Sequence, residues 1–110
     1  MSKTADERIQ VIEDVESIKK LKASYCYWVV AGIAGDATQM DELVAHFTEN
    51  EPWADFGPFG VHKGKEAVGA FFSEVVVGTL SYSAHMDSNT IIEVDGNKGK
   101  GRWYVDVPCT

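Results

Sequence analysis

Cysteine is scarce in this chain: Cys26 and Cys109 stand far apart among 110 residues, with no Cys-x-x-Cys pair and no Cys/His metal spacing. That pattern excludes a disulfide framework or a zinc knuckle, and two free thiols suit a reducing cytoplasm. Basic residues are outnumbered, with 10 Lys and Arg against 17 Asp and Glu, for a formal net charge of −7. Nothing basic is concentrated, which argues against nucleic acid or an anionic membrane as partner. Lys19, Lys20 and Lys22 are interspersed with acids and read as the solvated face of one helix. No apolar run is long enough to span a bilayer, and Met1 to Asp6 lacks a signal-peptide core. A Gly-rich phosphate loop, a nucleophile elbow and a metal triad are also missing, so neither cofactor nor metal is expected.

What remains is an ordinary globular composition, 45% hydrophobic and 25% charged, at a length that fits one domain, 1–110. Residues 1–6 are read as a flexible N-terminal segment. Thr4-Ala-Asp-Glu7 nevertheless has the capping-box pattern, and apolar residues follow at Ile9, Ile12, Val15, Ile18, Leu21, Tyr25 and Trp28. That spacing predicts a long amphipathic helix ending at Gly32 to Gly35. Thr38-x-x-Asp41 opens a second helix, and His46 near its end suits the helix dipole. Pro52 to Phe56 reads as a strand, Gly57 to Gly60 as a loop, and His62 as a solvated loop residue before a third helix from Gly64. Two strands follow, Leu80 to Val94 and Lys98 to Val107, joined through Asp95-Gly96.

This order predicts an α+β domain, with helices segregated from an antiparallel sheet. Two or three strands cover three helices poorly, so either a partner chain completes the sheet or the domain continues beyond Thr110. A two-residue Asp95-Gly96 turn would set His85 opposite Asp106 and Asn89 opposite Arg102, on a shared face roughly 5 Å apart at Cβ. The aspartate would then fix the imidazole tautomer and raise its basicity. A bulge or a longer loop would break that pairing. Asp55, inside Trp53-Ala-Asp-Phe-Gly57, is either a turn carboxylate bonded to the amides around Gly57 or an acid facing the same site.

Several stretches together resemble the SnoaL-like branch of the nuclear transport factor 2-like superfamily, which includes scytalone dehydratase, bile-acid dehydratases and ketosteroid isomerase. They are the Tyr25-containing helix, Ala31-Gly32 to Gly35-Asp36, "DELVAHFTENEPWADFGPFGVHKGKEAVGAFF" and "HMDSNTIIEVDGNKGKGRWYVDVPCT". The resemblance covers residues 9 to 110. It implies a cystatin-like cone: a curved antiparallel sheet packed on the long N-terminal helix and two shorter helices, with the last strands of the family pattern absent. It also implies a pocket for a small hydrophobic molecule and lyase or isomerase chemistry without a cofactor. His85 matches the family's sheet histidine, which acts as base, and Asn89 a frequent position further along. Asp55 is similar in placement to the isomerase aspartate. The expected catalytic set is His85, Asp55, Asp106 and Tyr25. The expected substrate wall is Tyr27, Trp28, Trp53, Phe56, Phe72, Met86, Asn89 and Trp103. In the family's dehydratases an aspartate follows the helix tyrosine by just over a turn, where this chain has Val30. The alternative is therefore a non-catalytic small-molecule-binding or oligomerisation domain of the same fold. A homodimer or homotrimer is expected either way, because the outer sheet face, including Ile92, needs cover.

Overall fold

A computed structural model describes residues 2–110. It opens with α1, Ala5–Ile33, whose first turn is closed by reciprocal bonds between Thr4 and Glu7. Two orphan backbone donors are satisfied at once, which fixes where the helix begins. Ala5 and Asp6, expected in a flexible segment, already belong to this turn; Met1, the first residue of that segment, lies outside the described residues. α2, Ala37–Ala45, starts one residue before Thr38. Its cap is Asp36, whose carboxylate accepts from the Thr38 amide at 3.2 Å and from its hydroxyl at 2.6 Å. The turn between α1 and α2 is tight because Gly32 has no side chain: a Cβ there would lie 2.7 Å from Met40 Cε.

A small antiparallel hairpin follows, β1 (Trp53–Asp55) with β2 (Val61–Lys63), pairing Ala54 with His62. Its connection, Gly57–Phe59, is a turn of 3-10 helix. The third helix, α3, is continuous but changes pitch, being α-helical over Lys65–Ala70, π-helical over Phe71–Val76 and α-helical again over Val77–Thr79. The pitch change has a packing reason. Adjacent pairs four residues apart, Phe71/Phe72, Val75/Val76 and Thr79/Leu80, all line the same cavity, with the first pair buried and Val75 and Thr79 also open to solvent. At 3.6 residues per turn each such repeat would drift by about 40° around the helix. A wider turn keeps the pairs on one wall.

The last element is a long hairpin of β3 (Met86–Asp95) and β4 (Lys98–Asp106). The turn is Gly96-Asn97, since Asp95 pairs with Lys98, so the tip lies one residue beyond the Asp95-Gly96 site expected. A bulge between Ser88 and Ile91, with Asn89 at φ 55°, then shifts the register, and Met86 rather than His85 stands opposite Asp106. The shifted register continues to the end of the chain through a Ser83–Cys109 bridge and bonds from Thr110 to Tyr82. It sets His85 across from Val107. Among the described residues the strands form two separate two-stranded sheets, and the α+β class holds.

The core gathers Val29 and Ile33 of α1, Met40 and Leu43 of α2, and Val68, Phe71 and Phe72 of α3. Only the C-terminal half of the expected α1 stripe is covered. Ile9 and Ile12 remain 52% and 63% exposed, because the long hairpin reaches back along α1 as far as Gly99 beside Ile18. No helix of the described residues is long and apolar enough to cross a membrane.

Candidate active site

Strand alternation decides the fate of Asp55. In the small hairpin, Ala54, Phe56 and His62 turn inward while Trp53, Asp55 and Val61 face outward. The Asp55 carboxylate accepts from the Gly57 amide at 2.8 Å, the Phe56 backbone at φ −108° and ψ 25° turning that N–H back towards it. The expectation of a pocket acid is therefore corrected, and Asp55 is a turn carboxylate. His62 is not a solvated loop residue either: it is half-buried in β2, and its ring stacks on Phe71 at 4.1 Å between centroids.

Asp106 is corrected by the register. The bulge around Asn89 reverses which side of β3 each following residue faces, so His85 and Asp87 share a face with Trp103, Val105 and Val107. Arg102, Tyr104 and Asp106 lie on the other face, and Asp106 is exposed. Ile92 likewise turns towards the helix side rather than the outer face. Nothing in the sequence marked the bulge beyond Asn89 itself, a residue type tolerant of left-handed backbone.

The structure brings Tyr25 and His85 together. Tyr25 reaches in from α1 and His85 from the segment before β3, and their rings meet edge to face, 6.4 Å apart at 76°. Both line a cavity of about 450 Å³. Its wall is almost wholly apolar, with Val29 from α1, Phe56 and Phe59 from the small hairpin, Phe71 and Phe72 from α3, and Val107 from the end of β4. Tyr25 also packs edge-on against Phe72 at 6.1 Å.

Two residues absent from the sequence expectation complete the surroundings. Ser83, 3% exposed, places its hydroxyl 3.2 Å from His85 Nδ1. Cys109 lines the cavity beside it while remaining exposed to solvent. The Ser-x-His spacing puts both side chains on one side of an extended chain, and that was the only available signal.

Of the expected wall, Phe56 and Phe72 line this cavity. Trp28 and Trp103 line a smaller groove on the far side of Tyr25, where Trp28 stacks on His46 at 4.6 Å. His46 caps α2, donating from Nδ1 to the Glu42 carbonyl at 2.8 Å. Tyr27, Trp53 and Met86 point outward, at 79%, 61% and 51% exposed, and Asn89 sits in the bulge. These four are corrected as wall residues. Tyr27 lies on the opposite side of α1 from the packed face, and Met86 alternates outward beside His85. Among the described residues no cluster of metal-ligating side chains forms.

Electrostatics keep both polar groups neutral. Burial pushes the Tyr25 phenol up to about 12, with nearby Cys26 adding to the rise. Burial also lowers His85 below its ordinary 6.5, and the Lys22 ammonium adds to that. The imidazole therefore keeps a free lone pair at neutral pH while the phenol keeps its proton. The linkage has opposite signs at the two ends. A depressed histidine contributes stability that is lost as pH falls below 6.5. A raised tyrosine contributes stability present below pH 10.0 and lost as pH climbs towards 12. Denaturant titrations across that alkaline range should show this loss in the wild type and a weaker one in Tyr25→Phe. Equal slopes in the two proteins would contradict the assignment.

The sequence profile described as the SnoaL-like domain matches residues 10–109. No curated protein and no solved structure matches the chain.

Proposed function

Since the chain belongs to the SnoaL-like domain family, within the NTF2-like superfamily, we propose that its Tyr25–His85 cavity takes a hydrophobic ring compound and moves a proton next to a carbonyl. The family supplies a small-molecule isomerase- or dehydratase-type fold. The observation carrying the finer reading is the convergence of one neutral imidazole and one neutral phenol on a single apolar cavity.

The chemistry follows from the protonation states. In the tautomer that can act as base, Nδ1–H of His85 donates to the Ser83 hydroxyl, leaving the Nε2 lone pair free. That nitrogen takes the proton from the carbon beside the carbonyl; the C–H pair becomes the enolate C=C bond and the carbonyl π pair moves onto oxygen. The Tyr25 O–H donates to the enolate oxygen, a stabilisation that gains strength where water is excluded. Transfer of that proton from the imidazolium to the γ-carbon of a conjugated enolate completes an isomerisation; its transfer to a β-hydroxyl, which departs as water, completes a dehydration, and either step returns His85 to the neutral form. Without a carboxylate behind it, His85 is a mild base, suited to carbon acids already activated by a carbonyl.

Binding is testable before any turnover. Cys109 lines the cavity and is exposed, whereas Cys26 is buried at 6%, so alkylation reports on Cys109. A bicyclic ketone such as indanone should slow that alkylation in a saturable way. Labelling indifferent to ligand would argue against occupancy.

The family's habit of assembly also has support in exposed apolar surface. Ile9 and Ile12 on α1, and Met86, Ile91 and Tyr104 on the hairpin, are all at least half exposed. We assign self-association to these faces. Sedimentation at micromolar concentration should show a dimer or larger, and a monomer throughout would refute this.

A further inference from the structure

Lys22 was expected on the solvated face of α1, but it is half-buried. It sits one turn before Tyr25, on the same side of the helix. Its ammonium lies 4.5 Å from the Tyr25 ring centroid and 5.4 Å from that of Trp103. No carboxylate stands within 4.0 Å of it: the ion pairs among the described residues are Lys19–Glu16 and Lys65–Glu49. In a chain with 17 acidic residues, a half-buried cation held by two aromatic faces and left without a counter-ion is unusual. Asp87 lies on the helix-facing side of β3, and it forms no ion pair with the ammonium either.

The position matters as much as the missing partner. Lys22, Trp103 and His46 line a groove of about 200 Å³, and Tyr25 forms a wall of both this groove and the main cavity. The two spaces adjoin at the Tyr25 ring, so a molecule bound against that ring lies beside the Lys22 ammonium on its other side. We propose that Lys22 is a specificity-determining residue that binds a carboxylate on the substrate, so the site selects anionic ring compounds over neutral ones. The inference rests on the cavity reading above and adds the substrate's charge to it.

The aromatic faces hold the ammonium without neutralising it, as a cation over a ring keeps its full charge and most of its donors. A ligand carboxylate can therefore bind it while the rings stay in place. Partial burial also makes the pair less subject to solvent screening than a surface contact.

The test compares naphthoate with methyl naphthoate, two probes of nearly equal shape that differ in charge. Binding is read by protection of Cys109 and by calorimetry, in wild type, Lys22→Met and Lys22→Arg. Wild type should prefer naphthoate by about tenfold or more, a difference of about 1.4 kcal/mol. Lys22→Met should lose the preference while keeping its affinity for the ester, and Lys22→Arg should retain most of it. A wild-type protein that binds the ester as well as the acid overturns the role of Lys22 and leaves the cavity reading standing. The same holds for a Lys22→Met variant that still prefers the acid. Failure of both probes to bind or to protect Cys109 overturns the cavity reading and this inference together.

Discussion

Replacing Phe72 with alanine is expected to cost about 3–5 kcal/mol of folding stability, the range found when a buried phenylalanine is truncated. Phe72 is 1% exposed and lies where every layer of the core meets. Its ring packs against Tyr25 of α1, Phe47 after α2, Phe56 of the small hairpin and Phe71 beside it. Few of these neighbours can collapse into the vacated space. Tyr25 is held by the helix, and the Phe71 ring is pinned between Phe56 and His62. Single domains of this size hold about 5–15 kcal/mol in total, so such a loss removes a large share of it. Thermal unfolding followed by circular dichroism should show the midpoint falling by at least about 12 °C, at roughly 4 °C per kcal/mol. A fall of only a few degrees would mean that the core closes without Phe72, and that the π-helical wall of α3 does not depend on it.

His85→Gln should lower proton abstraction by about 10²-fold or more, the usual contribution of a positioned general base. Glutamine retains a polar side chain of similar reach and can still bond to Ser83, but it has no basic lone pair at neutral pH. Binding of indanone should change little, because the apolar wall supplies most of the contact. The readout is deuterium incorporation at the carbon beside the indanone carbonyl in heavy water, which needs no knowledge of the native substrate. Tyr25→Phe should also slow the exchange, by less, since it removes a hydrogen bond to the enolate and leaves the base in place. Equal exchange in wild type and His85→Gln would remove His85 from the mechanism and leave a binding cavity without acid–base function.

Much of the architecture could be read from the chain because local signals and tertiary packing agree. The Thr4/Glu7 box, the Gly32 to Gly35 stretch around Ile33 and the entry at Gly64 all sit where the helices begin and end. The site was legible only in part, for reasons that are not local. His85 and Tyr25 could be singled out by resemblance, but their meeting depends on where the long hairpin crosses α1. The Asp106 partnership failed on two counts: the turn lies one residue later than expected, which alone would set Asp87 opposite Asp106, and an inserted residue near Asn89 then reverses the facing of what lies beyond it. A bulge of this kind leaves almost no trace in composition. Asp55 was ambiguous because alternation groups it with Trp53 without saying which side is inward; the aromatic ring next to it is on the solvent side. Lys22 was misread because lysines in a charged helix are usually solvated, and only the return of Trp103 from the far end of the chain covers it.

The most direct test of an acid–base cavity is the pH dependence of indanone deuterium exchange catalysed by the wild-type protein. A neutral imidazole is the active form, so catalysis should rise from acid, pass its midpoint below pH 6.5 and stay level through neutrality. An exchange rate no greater than that of free imidazole at the same concentration would contradict the account. So would a profile whose midpoint survives unchanged in His85→Gln.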